Sequence, residues 1–240
     1  MSRIREFRGK CNGCGEEFSG SQMDKHLISC VAKAVSPRRG SASGQRATGS
    51  SLFGLRVWGE GYPGIYWLYL EARADLHLLD LDRFLRDLWL ECCGHCSAFT
   101  IGNMQYEPSK DRDFFGFGPS QPTRLMKVPL EEILKVGSAF GYEYDFGSTT
   151  DLGLNVLWER QGKAGRGGIT VLARNEAPTL ACVSCKATAQ WICTECIQEY
   201  EKDACYCGRC VAKHGCEEDM SLPVANSPRV GVCGYEGPLR

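Results

Sequence analysis

The middle of the chain, from about Leu52 to Asn175, carries the apolar periodicities of a folded core. Positions 65 to 72 are apolar on both alternating faces, which predicts a buried, central strand. The pattern then changes to helical spacing, with Asp80 or Asp82 as the expected cap. One face of this helix collects Leu81, Phe84, Leu85, Leu88 and Trp89. A strand followed by an amphipathic helix therefore opens the domain.

Further along, shorter alternating runs predict five more strands. They are a hairpin at 99–106 that turns at Gly102-Asn103, and strands at 140–146, 152–156 and 169–172. Pro129 opens a helix between them, and Gly137 is expected to end it. Hairpins mixed with separate helices predict an α+β fold with a central mixed sheet rather than a doubly wound one.

Composition divides the chain into segments. Residues 36–51 are rich in Gly and Ser and predict a flexible linker. The expected order is a zinc finger at 8–35, the linker at 36–51, the α+β domain at 52–176, a double-zinc module at 177–220 and a tail at 221–240 that packs on the body.

The 15 cysteines are best explained by metal binding. The N-terminus has no apolar leader and no run approaches the ~18 apolar residues of a membrane span, so we expect a cytoplasmic protein without a membrane partner. Thiols stay reduced in the cytoplasm, and pairs of cysteines two residues apart are typical of zinc ligation.

The N-terminal cysteines have the spacing of a ββα zinc finger. Its four predicted ligands are Cys11, Cys14, His26 and Cys30. Phe18 and Met23 fall where such a finger places its small apolar core. Residues 1–50 hold nine Lys/Arg against four Asp/Glu, although the whole chain has a net charge of -1. Gln22 and Lys25 are therefore candidate nucleic-acid contacts, while protein docking by the same finger is the alternative.

Eight further ligands lie between residues 182 and 216 and predict a cross-brace module, similar in style to B-box domains. One zinc is assigned Cys182, Cys185, Cys207 and Cys210, and the other Cys193, Cys196, His214 and Cys216. Cys205 is an alternative to Cys207 or Cys216, and a sequential pairing is also compatible with the spacing. Twelve ligands in all predict about three Zn²⁺ ions, each in a closed, structural site.

The remaining cysteines have a less specific pattern. Cys92, Cys93, His95 and Cys96 follow the predicted helix and could hold metal or a reactive thiol. We expect them to pack structurally instead, since cysteine at a helix end behaves as a small hydrophobe. Cys233 is expected to be a buried spare thiol.

Three stretches of the central domain resemble one known family. WLYLEARADLHLLDLDRFLRDLWLECCGH, SAFTIGNMQY and GYEYDFGSTTDL are similar to the plasmid pRiA4b ORF-3-like family, some of whose members are described as resolvase-like insertion-sequence passengers. The resemblance implies an α+β fold and no established activity, and its most specific motif is Tyr144, Asp145, Phe146 and Gly147. Members continue with an acidic residue, a Trp and a His, where this chain has residues 148–151, Ser-Thr-Thr-Asp.

Two functions follow from these patterns. Closed zinc sites predict a non-enzymatic adaptor or regulatory protein that binds a protein partner, with nucleic acid as a further candidate through the basic finger. The alternative is a nucleic-acid-processing enzyme, either a nuclease or a recombinase-associated factor, with Asp145 and Asp151 as its candidate acidic residues. Residues 165–168, Gly-Arg-Gly-Gly, lack the Lys-Ser/Thr of a phosphate-binding loop, and no small-molecule substrate is indicated.

Overall fold

A computed structural model of the chain describes residues 7–35, 49–62, 64–109, 122–200 and 204–239. Arg3 and Arg5 of the basic N-terminus and residues 36–48 of the predicted linker lie outside the described residues. The described residues divide into two compact units. The first unit draws on Met1–Arg83, Ser97–Glu143 and Asp151–Glu176, and the second on Phe84–Cys96, Tyr144–Thr150 and Ala177–Arg240.

The first unit is built on a ten-stranded mixed sheet with the order β2-β1-β10-β4-β3-β9-β8-β5-β6-β7. The strands are β1 (Arg8–Cys11), β2 (Glu17–Ser19), β3 (Ser50–Gly59), β4 (Trp67–Arg73), β5 (Ser97–Ile101), β6 (Met104–Glu107), β7 (Thr123–Leu125), β8 (Ala139–Tyr144), β9 (Thr150–Gly162) and β10 (Ile169–Asn175). Strands β6 and β7 pair in parallel, and β4 pairs antiparallel with β3 and β10. The sheet, together with the helices below, confirms the predicted α+β class.

Most predicted strands are present, but their lengths differ. Strand β4 lies in the interior of the sheet, as its two apolar faces predict. The pattern did not reveal β3, whose first residues, Ser50 and Ser51, were assigned to the linker. Strand β9 extends to Gly162, beyond the predicted end at residue 156. Its second half alternates between partly buried and exposed positions and lacks the apolar–polar alternation that predicts a strand. Strand β8 ends at Tyr144 because Asp145 adopts a left-handed conformation with φ 65°.

The first predicted helix is present along its whole apolar face, whereas the second is shorter than predicted. Helix α2 (Leu78–Leu85) begins before both expected caps, and the Asp80 carboxylate accepts a hydrogen bond from the His77 amide at 3.0 Å. Asp82 is buried instead and accepts hydrogen bonds from Ser97 and Tyr142. The helix continues as one wider π-helical turn, Arg86–Leu90. Helix α3 (Leu130–Ile133) follows Pro129 as predicted but ends before Gly137.

The zinc-finger segment is part of the large sheet. Helix α1 (Gly20–Val35) follows β2, and β1 pairs with both β2 and β10. Met23 and Leu27 of α1 are buried with Trp67 and Tyr69 of β4 in one apolar cluster. The Tyr69 hydroxyl also donates to the Gly20 carbonyl at 2.8 Å. The segment expected to be a separate finger at 8–35 therefore shares its core with the sheet.

The second unit contains a small sheet in the order β12-β11-β13, formed by β11 (Trp191–Cys193), β12 (Cys205–Tyr206) and β13 (Ser221–Pro223). Two short helices, α4 (Thr194–Tyr200) and α5 (Gly208–Val211), follow the first two strands. The tail also belongs to this unit, and its Arg229 and Tyr235 are fully buried. Across the described residues, the structure has no helix that combines the length and apolarity of a membrane span.

Candidate metal centres

Four groups of cysteine and histidine have their ligand atoms within 4.8 Å of one another in the described part of the chain. The groups, here called sites A to D, are Cys11, Cys14, His26 and Cys30 for site A; Cys182, Cys185, Cys207 and Cys210 for site B; Cys193, Cys196, His214 and Cys216 for site C; and Cys92, Cys93, His95 and Cys233 for site D. Each group could hold a metal ion.

Site A brings together the four ligands predicted for the finger. The sulfurs of Cys11 and Cys30 are 3.9 Å apart, and the Cys14 sulfur is 3.3 Å from Nε2 of His26. The ring of Phe18 stacks on His26 with centroids 4.0 Å apart. This stacking limits the plane of the imidazole, whose Nε2 faces the Cys14 sulfur.

Tight turns position the paired cysteines of sites A and B. The residue that follows Cys14, and likewise the one that follows Cys185, has a left-handed backbone, with φ 80° at Gly15 and 62° at Lys186. Its amide donates to the carbonyl of the first cysteine, at 2.8 Å in Cys11 and 2.9 Å in Cys182. These turns leave nearby backbone amides directed at the sulfurs, which is the arrangement of a zinc knuckle.

Site B contains four thiols, and its pairing is the alternate one expected of a cross-brace. The sulfurs of Cys185 and Cys207 are 3.6 Å apart. A backbone hydrogen bond at Cys207 lowers the pKa of the Cys182 thiol to about 6. A thiol with this pKa is largely ionised at neutral pH, and the thiolate is the form that binds metal.

Site C combines ligands from β11, the start of α4 and the loop after α5. Nε2 of His214 is 3.2 Å from the Cys196 sulfur, which is 3.7 Å from that of Cys216. Tyr206 packs on the His214 ring at 4.3 Å, as Phe18 does in site A. Among the described residues, Cys205 belongs to neither site B nor site C, and it pairs in β12 with Ile192 of β11.

Site D differs from the expectation for the middle cysteines. Cys92, Cys93 and His95 come after the π-helical turn, in a loop, and they meet Cys233 of the tail instead of Cys96. The loop backbone allows two adjacent cysteines to approach one centre, with sulfurs 3.7 Å apart. Cys233 is only partly buried, and hydrogen bonding with His95 lowers the pKa of its thiol to about 7. The structure thus places these residues in a group that could hold metal, and Cys233 is less buried than the expected spare thiol.

The sequence contained a partial signal for site D. Three of its ligands lie within four residues, but the fourth follows 138 residues after His95. Ligand spacing identifies pairs that are close along the chain, and it cannot associate a single distant thiol with them. The sequence also offered Cys96 as a nearer choice, although the structure leaves its side chain exposed.

The candidate nucleic-acid residues lie on the solvent side of α1. Gln22 and Lys25 are both exposed, whereas Met23 and Leu27 bury the opposite side. The side-chain oxygen of Gln22 accepts hydrogen bonds from the amide and hydroxyl of Ser19 at 3.3 and 3.2 Å. Gln22 thus helps to begin the helix, while Lys25 presents its charge to solvent.

The family motif has a structural position beside site D. The Tyr144 hydroxyl donates to Glu91 at 3.0 Å, and its ring packs under the Arg229 guanidinium at 4.7 Å. Asp145 accepts hydrogen bonds from the amides of Gly147 and Ser148 and, at 2.6 Å, from Arg229. Burial raises the pKa of Asp145, but the hydrogen bonds from Arg229 and from those two amides together lower it by more than burial raises it. The net shift of this pKa is therefore downward. Phe146 is exposed, and so is Asp151.

The donor sets of all four sites fit a zinc ion. With Zn–S near 2.3 Å and Zn–N near 2.0 Å, a tetrahedral site has edges of about 3.8 Å between sulfurs and about 3.6 Å from sulfur to nitrogen. The sulfur–sulfur contacts of 3.6–3.9 Å match this geometry. Four protein ligands fill a tetrahedral ion, so such sites have no open position for a reacting water.

Comparisons with known proteins give little further guidance. No family model matches the chain, and no curated protein matches it, so the resemblance to the pRiA4b ORF-3-like family stays a prediction. The chain is similar to the crystal structure of a protein of unknown function from Methanosarcina mazei Go1, with 17% identity and a TM-score of 0.41. The similarity covers 49% of this chain and 65%, less than two thirds, of that one.

Proposed function

We propose that this chain is a non-enzymatic, zinc-binding adaptor whose metal sites hold surfaces for a protein partner. The observation that carries the proposal is that sites A, B and C each assemble four Cys or His ligands at the spacing of a closed tetrahedral ion. A closed ion contributes to folding and leaves no position for substrate. The proposal includes about three Zn²⁺ per chain for these sites and a cytoplasmic location.

The module formed by sites B and C supports a folding role for the metal. Its apolar cluster consists largely of Cys193 and Cys196, with Ala204 and Tyr206 as the other buried members. Three strands of two or three residues bury too little apolar surface to be stable by themselves. Structural zinc supplies on the order of 10–16 kcal/mol in small domains of this kind. The metal would therefore maintain whatever surface the module presents.

A protein partner is favoured over nucleic acid by the exposed side chains of the described regions. In the second unit, Trp191 and Met220 are 37% and 38% exposed, and both residue types are enriched in protein interfaces. Around site A, the exposed basic residues Arg8, Lys10 and Lys25 are interspersed with exposed Glu16 and Glu17, which offset part of their charge. Phosphate binding depends on clustered positive charge.

The enzyme alternative has no supporting observation. Asp145 accepts hydrogen bonds from two amides and a fully buried arginine, so its carboxylate already has protein partners. A metal-dependent nuclease requires carboxylates directed at a solvent-accessible metal. A nuclease assay with Mg²⁺ or Mn²⁺ checks this, and cleavage abolished by Asp145→Ala would contradict the adaptor proposal.

Affinity capture of interacting proteins from native lysate tests the proposal when paired with matched variants. Trp191→Ser removes the exposed aromatic side chain of the zinc module, and Tyr62→Ser removes one of equal exposure, 38%, from the first unit. We expect one protein to be captured by the wild type and by Tyr62→Ser, but at least tenfold less by Trp191→Ser or after metal removal. The captured protein, once purified, should bind the zinc-loaded chain directly.

Two results would contradict the proposal. One is partner binding that survives complete metal removal, verified by elemental analysis. The other is a combination of two findings: nuclease treatment abolishes the capture, and the purified chain binds random-sequence DNA or RNA directly, with an affinity that Lys25→Glu weakens. The second result would assign the finger to nucleic acid instead.

A further inference from the structure

Site D is absent from the ligand set that the sequence predicts, yet its contacts resemble those of the other three sites. The Cys93 sulfur is 3.6 Å from that of Cys233, and Nε2 of His95 is 3.4 Å from Cys233. The contact between Cys93 and His95 is 2.9 Å, which would lengthen by about 0.7 Å around a tetrahedral zinc. Three thiols and one imidazole converge here from two distant parts of the chain.

The imidazole of His95 is oriented as a metal ligand. Its Nε2 points toward Cys93 and Cys233, while Nδ1 lies 3.5 Å from a carboxylate oxygen of Asp145. A histidine that binds metal through one nitrogen commonly donates its other N–H to a carboxylate, which fixes the tautomer and the ring orientation. The Tyr144 ring meets His95 edge-on at 5.8 Å, so site D, like sites A and C, has an aromatic contact on its histidine.

A buried carboxylate, Asp145, and a partly buried one, Glu91, hold the protein groups around site D. Asp145 is fixed by Arg229, whose guanidinium also donates to the Ser148 carbonyl and the Thr150 hydroxyl, each at 3.0 Å. Glu91 accepts hydrogen bonds from Arg86 and, at 2.6 Å, from the Gly94 amide within the ligand loop. This loop therefore has a fixed shape without any contribution from the metal.

The charges around site D are also consistent with a metal–thiolate centre. Three thiolates on a divalent ion leave one net negative charge, which is costly to place next to apolar groups. The guanidinium of Arg229 lies 3.5 Å from the Cys92 sulfur and is fully buried. It is placed to offset that charge while it also pairs with Asp145.

We propose that site D is a fourth, closed Zn²⁺ site with Cys92, Cys93, His95 and Cys233 as its ligands. The ion fastens the C-terminal tail to the loop after α2. Asp145 is the positioning residue for His95. The tail reinforces this connection, because the Ser227 hydroxyl donates to the Trp89 carbonyl. This site adds a fourth ion to the three in the proposed adaptor, and the proposal does not depend on the function of those three.

Native mass spectrometry of the zinc-loaded full chain, purified with a thiol reductant, tests this proposal. We expect four zinc ions in the wild type, three in Cys233→Ser and four in the control Cys96→Ser, whose thiol lies next to site D in sequence but outside its ligand group. Limited proteolysis should cleave the tail of Cys233→Ser at least tenfold faster than that of the control.

Cobalt substitution separates metal binding from a merely structural role. Co²⁺ bound to three thiolates and one nitrogen gives thiolate charge-transfer bands, and Cys233→Ser should lose about a quarter of their intensity, whereas Cys96→Ser should lose none. Asp145→Asn should keep four ions but release the fourth at least tenfold faster to a chelator, consistent with the usual 10–100-fold effect of removing an outer-shell partner.

Three results would overturn the proposal. One is a wild-type chain with only three ions, and another is Cys233→Ser retaining four. The third is rapid alkylation of Cys92, Cys93 and Cys233 in the native, zinc-loaded chain while the cysteines of sites A to C are protected. If Cys233→Ser does not fold, this alkylation pattern in the wild type decides the question alone.

Discussion

At the scale of single residues, the ion pair between Asp145 and Arg229 lies in the interior of the second unit. Both side chains are almost entirely buried, and the arginine is one of the largest fully buried side chains in the described residues. The sequence places Asp145 in the motif that resembles the pRiA4b ORF-3-like family and makes it a candidate catalytic carboxylate. It could not identify the partner, because Arg229 lies 84 residues further along in a tail rich in proline and glycine.

Breaking this pair should be strongly destabilising. We expect Arg229→Met to cost roughly 3–5 kcal/mol of unfolding free energy, because it leaves a buried carboxylate without its counter-charge. Asp145→Asn should also destabilise, although asparagine tolerates the left-handed backbone at this position. Urea unfolding of the zinc-loaded chain measures both effects.

The double variant serves as the control for this prediction. If the charges act on each other, Asp145→Asn combined with Arg229→Met should lose less stability than the two single losses added together, by about 1–3 kcal/mol. Strictly additive losses would show that Arg229 stabilises the unit through its other contacts alone.

At the scale of elements, the join between the finger and the large sheet depends on close approach at one residue of β1. Gly9 pairs with Asn175, and a Cβ built on Gly9 would lie 2.1 Å from the Arg174 carbonyl oxygen and 2.4 Å from the Trp67 ring. Backbone cannot move away as a flexible side chain can. Only glycine allows β1 and β10 to pair at this distance over the tryptophan.

Gly9→Ala should therefore loosen the finger from the sheet. Overpacking of this kind costs roughly 1–3 kcal/mol. Hydrogen–deuterium exchange should show faster exchange in β1 and in the facing part of β10, with β3 unchanged. Gly141→Ala in β8 is the matched control, since an added Cβ there meets nothing within 4 Å. Equal effects of the two variants on hydrogen–deuterium exchange would contradict the importance of Gly9.

The predictability of each element follows from how local its signals are. The strand at β4, the β5–β6 hairpin and the Pro129 helix start were recognisable because their apolar spacing or turn residues lie within a few positions. Strand β3 was missed, since its serines resemble the linker that precedes them. The β1–β10 pairing has no local signal at all. Met23 was expected in a small finger core, and nothing in the spacing of the finger indicated that Trp67 would complete it.

At the scale of the whole molecule, the first unit and the module of sites B and C should differ in how far their folding depends on metal. The first unit has an extensive apolar core that includes Leu55, Val57, Leu68 and Leu70, all fully buried. The module of sites B and C has cysteines where such a core would be. The same contrast was readable from the sequence, because cysteine pairs are concentrated in 182–216 and apolar periodicity in the middle of the chain.

Removing metal with a strong chelator should therefore unfold one part and preserve another. We expect amides of β11, β12 and β13 to lose their exchange protection, while those of β3 and β4 keep most of theirs. Readdition of Zn²⁺ should restore the lost protection. Unchanged protection in the β11–β13 region of a chain shown by elemental analysis to be metal-free would contradict the assignment of sites B and C.

The place of β10 between β1 and β4 also has a consequence for biosynthesis. Gly9 leaves the ribosome about 166 residues before its partner Asn175, a delay of roughly 10–30 s at typical elongation rates. During that interval the nascent N-terminus has its own ligands for an ion and can pair β1 with β2, but it lacks the second partner of β1, strand β10. Early metal capture would keep this segment compact until its neighbour is translated, so a shortage of zinc during growth should harm newly made chains more than mature ones.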